Sequence, residues 1–134
     1  MFVATSEQLD NGTAVVRVMG EVDLATVQEL KQALLGGGED LTGALIVDLT
    51  GCTFLDSTGL AALIATRKRL GRSNRRLALV LSTPAVLRIF QITALDQVFE
   101  IYPSLGAAVD GNGNGNGRLE ASSIDRARAQ STRG

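Results

Sequence analysis

The sequence predicts a single α/β domain built on a mixed, mostly parallel β-sheet packed by about four helices. Three observations carry that expectation. "ALIVDL" (44–49) and "RLALVL" (76–81) are nearly continuous aliphatic runs of strand length, the pattern of strands covered on both faces. Segments with apolar residues at helical spacing lie between such runs, and strands that alternate with helices pair in parallel through right-handed crossovers. The chain opens instead on two strand-like segments around Asp10-Asn11-Gly12, turn chemistry that joins an antiparallel pair.

In order, "FVATSEQ" and "TAVVRVMG" form the hairpin. In "DLATVQELKQALLGGG", Leu24, Val27, Leu30 and Leu34 recur near helical spacing, and Gly36-Gly37-Gly38 ends the helix. "ALIVDL" is the next strand, followed by a helix from about Ser57 to Leu70. After "RLALVL", the segment "STPAVLRIFQI" opens a third helix, with Ser82 or Thr83 as cap and Pro84 in the first turn. "QVFEIY" is a last short strand and "PSLGAAV" a short final helix. The order is β-β-α-β-α-β-α-β-α, with no internal repeat. At Asp110 the composition breaks: "DGNGNGNGRLEASSIDRARAQSTRG" has almost no large apolar residues. Burial there cannot offset chain entropy. The expected organisation is a domain over residues 1–109 and a disordered, Gly/Asn-rich flexible tail over 110–134, in which "RLEASSIDRARA" could become a transient helix.

Composition excludes several functions. The 134 residues include no histidine, which removes Ser-His-Asp and Cys-His catalysis and every histidine-containing metal site. The two lysines, Lys31 and Lys68, follow no glycine-rich loop of Walker type. Net charge is -1, so no global field points to nucleic acid or a membrane. A single cysteine, Cys52, forbids an internal disulfide, and no apolar run approaches the roughly 20 residues that span a bilayer. With no signal-peptide pattern in "MFVATSEQLDNG", the expectation is a cytoplasmic protein without metal, cofactor or enzymatic activity.

The informative stretch is "TFLDSTGLAAL" (53–63), where a strand gives way to a helix through Asp56, Ser57 and Thr58. Ser57 as a nucleophile lacks a base, since Lys68 lies roughly 16 Å along the same helix at the usual rise. Ser57 and Asp56 as caps explain one polar residue, yet the reciprocal Glu or Gln of a capping box is missing. Gly59 costs about 1 kcal/mol against alanine inside a helix and suggests room for a close approach by a partner. Ser57 as a phosphorylation site gains from the helix dipole and the free N–H groups of the first turn. Both the cap and the phosphorylation readings stand on the residues alone.

"VDLTGCTFLDSTGLAAL" closely resembles the phosphorylation segment of STAS-domain anti-sigma factor antagonists: a strand ending in Asp, a short loop, then Asp-Ser-(Ser/Thr)-Gly-Leu opening a helix. Gly20-Glu21-Val22-Asp23, after "AVVRVM", resembles the Gly-Glu-hydrophobic-Asp motif of the same family. The likeness covers roughly residues 2–109. It implies a protein that binds an anti-sigma factor serine kinase and so frees a sigma factor, is released by phosphorylation of Ser57, and is reset by a phosphatase. It further implies that Gly20, Glu21, Asp23, Asp56, Ser57, Thr58 and Gly59 form the partner-binding surface, with the kinase supplying ATP and magnesium. The tail lies outside the resemblance.

Other readings stand beside these. Thr58 is a second candidate acceptor or simply a first-turn residue, Asp23 a helix cap, and Asp48 a turn cap at a strand end or a partner contact. Cys52 is a candidate redox sensor or inert packing. Arg67, Lys68, Arg69, Arg72, Arg75 and Arg76 cluster at a helix C-terminus, where the dipole favours cations; no aromatic platform or recognition motif accompanies them for nucleic acid. The alternative functions are a STAS subunit of a lipid-transport ATPase complex and a nucleotide- or small-ligand-binding STAS sensor.

Overall fold

A computed structural model describes residues 1–9, 12–36 and 43–111. The hairpin of β1 (Phe2–Gln8) and β2 (Ala14–Val22) leads to α1 (Val27–Gly36), β3 (Leu45–Leu55), α2 (Ser57–Gly71) and β4 (Leu77–Val80). Then come α3 (Pro84–Ile92), a 3-10 turn (Leu95–Gln97), β5 (Glu100–Tyr102) and α4 (Leu105–Asp110). The five strands lie in sequence order; β1 and β2 are antiparallel, and every later pair is parallel. The expected fold class and element order are thus borne out. Asp10, Asn11, Gly37, Gly38 and residues 112–134 of the expected tail lie outside the described residues, and so do the expectations placed on them; of the first two tail residues, Asp110 ends α4 and Gly111 is buried against Tyr102, so the ordered domain runs past residue 109.

Both faces of the sheet are covered, unequally. On one face Val16, Val18, Val47 and Leu79 pack against Leu30 and Leu34 of α1, Leu63 and Leu70 of α2, and Phe90 of α3. On the other, Val15, Ile46, Ala78, Val80 and Tyr102 are closed by Ala108 of α4. Burial of these aliphatic side chains, worth about 1.5–3 kcal/mol each, holds the helices to the sheet.

Four boundaries differ from the sequence reading, each for a tertiary reason. The strand begun by "ALIVDL" does not stop at Asp48 or enter a loop. It runs to Leu55, because Thr50-Gly51-Cys52-Thr53 pairs with β2 through two register shifts. Those shifts insert extra residues into β3, and such bulges bend a strand. The second strand likewise continues through Gly20-Glu21-Val22, which pair with Cys52, Phe54 and Leu55. The first helix begins at Val27, not Leu24; Leu24 is 76% exposed in the preceding turn and off the buried face. The last strand begins only at Glu100: Gln97 closes the 3-10 turn, and Val98 and Phe99 form the turn and bend that follow it.

Candidate functional site

The two sequence motifs meet at the C-terminal ends of neighbouring parallel strands. Val22 and Leu55 are in register, and the Asp56 amide donates to the Val22 carbonyl at 3.1 Å. Asp23 and Asp56 are therefore next-door residues on adjacent strands, although far apart in sequence. Each carboxylate turns one oxygen on the backbone that follows it.

Asp23 Oδ1 accepts from the amides of Ala25 and Thr26 at 3.0 and 3.2 Å. The Thr26 hydroxyl donates to the Glu21 carbonyl at 2.8 Å and accepts from the Asp23 amide at 3.0 Å, locking the turn. Thr26 was not singled out by sequence reasoning, although its place three residues after Asp23 is the spacing of a reciprocal cap. Asp23 thus caps the turn before α1 rather than the helix itself.

Asp56 is the N-cap of α2. Its backbone is extended, and its Oδ1 accepts from the amides of Thr58 and Gly59 at 3.0 and 3.3 Å and from the Thr58 hydroxyl at 2.5 Å. The Thr58 hydroxyl bond, with the two amides behind it, holds the carboxyl below its ordinary value against a smaller opposing effect of desolvation. Capping is therefore done by Asp56 alone. Ser57, the first residue of α2, is exposed, and its side chain has no hydrogen-bond partner among the described residues. The two hydroxyls are unequal: that of Thr58 is committed and half-buried, that of Ser57 is free.

The two glycines of the site are dictated from inside. Gly59 is buried, and a Cβ there would lie 2.7 Å from Val22 Cγ1 and still closer to Leu55 Cδ1. Its missing side chain seats the first turn of α2 on β2 and β3, which corrects the expectation that it makes room for a partner. Gly20 has φ +99°, and a Cβ would run into the Met1 carbonyl just before β1, so the fold itself requires a glycine there. Glu21 is exposed and lies opposite Phe54, itself half-exposed.

Other candidates fall elsewhere. Asp48, buried in the middle of β3, accepts from the amide and hydroxyl of Thr50 at 3.0 and 2.8 Å and neither ends a strand nor reaches the site. Cys52 is fully buried, its thiol donating to the Phe54 carbonyl at 3.2 Å; burial pushes its pKa up despite that bond, the environment of an unreactive thiol. Of the basic cluster, Arg75 donates to the Gly43 carbonyl at 2.8 Å, and Arg76 binds Glu100, Tyr102 and the Ala108 carbonyl. These two arginines tie elements together. Leu24, taken from sequence as a core position, instead lines a cavity with Thr58 beside the site.

Among the described residues no group of His, Cys, Asp or Glu is placed to hold a metal ion, and no helix is long and apolar enough to cross a membrane.

Comparison with known proteins places this geometry. The STAS domain model matches residues 5–108. The anti-sigma-F factor antagonist RsfB of Mycobacterium tuberculosis is 33% identical over 101 residues, covering 75% of this chain and 82% of that one. The crystal structure of an anti-sigma factor antagonist from Mycobacterium paratuberculosis superposes with a TM-score of 0.74 at 35% identity, over 81% of this chain and 92% of that one. SpoIIAA in its unphosphorylated form, an anti-sigma factor antagonist, gives a TM-score of 0.65 at 23% identity over 81% and 94% of the two chains, a likeness of fold. With the family model spanning nearly all of the described residues and a 33% identical relative covered over 82% of its length, this chain belongs to the STAS-domain family of anti-sigma factor antagonists.

Proposed function

We propose that this protein captures an anti-sigma factor that is also a serine kinase, so freeing a sigma factor, and that phosphorylation of Ser57 ends the capture. The name of the RsfB relative, an anti-sigma-F factor antagonist, supports capture of an anti-sigma factor. The observation that carries the switch is the free, exposed hydroxyl of Ser57 at the first position of α2, with capping already done by Asp56. Nothing in the fold depends on that hydroxyl, so it can be modified without loss of structure.

The chemistry is supplied from outside. The kinase transfers the γ-phosphoryl of ATP to Ser57 Oγ, the hydroxyl proton leaves, and ADP is released. A phosphatase uses water to return the hydroxyl and free phosphate. This chain contributes the acceptor and its surroundings and performs no catalytic step. The phosphate adds nearly two negative charges beside Asp56, which is already held ionised. A helix N-terminus tolerates such charge, so the fold survives while a docked partner faces added bulk, like charge and desolvation. Thr58 is the poorer acceptor because its hydroxyl already serves Asp56.

The test begins with tagged wild type, Ser57→Ala and Ser57→Asp, used to isolate the partner from the source cells and identify it by mass spectrometry. The purified kinase with ATP should add one phosphate to wild type and none to Ser57→Ala. Ser57→Ala should bind like wild type and Ser57→Asp at least tenfold more weakly, with unchanged circular dichroism. Phosphate found only at Thr58, or equal binding by Ser57→Asp, overturns the assignment.

A further inference from the structure

A trough between α1 and α2 leads away from Ser57. It consists of two cavities of about 360 and 380 Å³, and Lys31, Ala62 and Ala65 line both. One end lies at Leu24 and Thr58, the other at Lys68, Arg69 and Arg72. From Thr58 to Arg72 the helix rises roughly 20 Å, about four turns. The small side chains of Ala62 and Ala65 leave the space between the two helices unfilled above Leu34. Leu24 and Leu35 are left as exposed apolar edges.

The charge along this trough has one sign. Lys31, Lys68, Arg69 and Arg72 line it, and among the described residues no carboxylate does. Among the described residues the ion pairs are Arg17 with Glu7 and Arg76 with Glu100, so none of the four is neutralised. Arg69 reaches only the Leu34 carbonyl, at 3.3 Å. The dipole of α2 accounts for cations in its own last turn, but not for Lys31 in the body of α1. An apolar floor with an unpaired cationic rim is one half of a complementary interface. The other half is an amphipathic helix with an apolar stripe and carboxylates on its flanks.

We infer that this trough receives an acidic amphipathic helix of the same anti-sigma factor that meets Ser57. The apolar stripe of that helix lies on Leu24, Leu35 and Ala65, the exposed apolar lining, and its carboxylates lie over Lys31, Lys68 and Arg72. The inference rests on the proposed function for the identity of the partner. This chain's own residues 112–134 are the wrong occupant by charge, with four arginines against two acids.

The test uses the full chain and the anti-sigma factor isolated with Ser57→Ala. Lys68→Glu/Arg72→Glu, both on exposed positions, should bind at least tenfold more weakly than wild type and lose most of the salt dependence of binding. Ala65→Glu, which puts a negative charge in the trough, should do the same. Wild type needs no substitution for a second readout: its Leu34, Ala62 and Ala65 amide signals should shift or broaden on adding the partner. Wild-type affinity in all trough variants, with those amides unmoved while Ser57→Asp still weakens binding, overturns the trough and leaves the switch standing. Weak binding by the trough variants with Ser57→Asp unaffected overturns the switch and keeps the trough. Shifts of the same amides with increasing concentration of the protein alone would identify a second copy as the occupant and overturn the inference.

Discussion

Asp56 and Gly59 show how much a single position in this site is asked to do. Asp56 holds the first turn of α2 through one oxygen that accepts from two amides and a hydroxyl. Its removal in Asp56→Ala should lower the melting temperature by a few degrees at neutral pH. A carboxyl held below its unfolded value contributes stability that is whole above that unfolded value, about 3.9. The contribution is lost as pH falls through the lower folded value. Melting curves of wild type and Asp56→Ala should therefore differ at pH 6 and converge in strong acid. Gly59→Ala sets two effects against each other: a helix-propensity gain of about 1 kcal/mol and overpacking against Leu55 and Val22 of about 1–3 kcal/mol. The clash is with core side chains wedged between strand and helix, so urea denaturation should show net destabilisation of about 1 kcal/mol. The sequence marked both residues as unusual. It could not say that the Gly59 Cβ direction points inward, because that depends on where β2 ends relative to β3.

At the level of elements, the helix α2 was legible almost to the residue, since its cap, its buried leucines and its basic last turn agree with one another. The strand before it was not. Thr50-Gly51-Cys52-Thr53 has loop composition, and only pairing with β2 makes it strand. Gly51 is tolerated there because the Met19 side chain lies across it, 2.8 Å from where a Cβ would be. Leu24 misled for the opposite reason: it continues a helical spacing that the Asp23 turn overrides. Within α2, Leu63 is fully buried against the sheet, and Leu63→Ala should cost about 3 kcal/mol by urea denaturation. Arg76 joins β5 to α4 through Glu100 at 2.7 Å, Tyr102 at 3.0 Å and the Ala108 carbonyl at 3.1 Å. Arg76→Ala should cost about 2 kcal/mol, and hydrogen exchange should quicken in α4 before the rest of the domain.

For the molecule as a whole, the sheet order follows the chain order; β4 pairs with β3 only over Leu45–Asp48, so the far end of β3 is held by β2, where Leu55 pairs with Val22. The strand β3 passes into α2 with only Asp56 between them, and the Asp56 amide is fastened to the end of β2. Ser57 consequently stands exposed at a corner between regular elements and not in a loop. An enzyme that acts on such a serine cannot draw it out as an extended strand, the way a peptide is threaded into a cleft. It has to carry a concave surface shaped to a folded corner. On the proposed function, kinase and phosphatase would read a shape assembled from two distant parts of the sequence, and a synthetic peptide spanning residues 53–63 would offer them neither the second strand end nor the helix. Its kcat/KM with the kinase should fall at least a hundredfold below that of the folded protein. On that proposal the folded state is itself part of the signal: a partly unfolded copy would be neither captured nor marked, and so would not report.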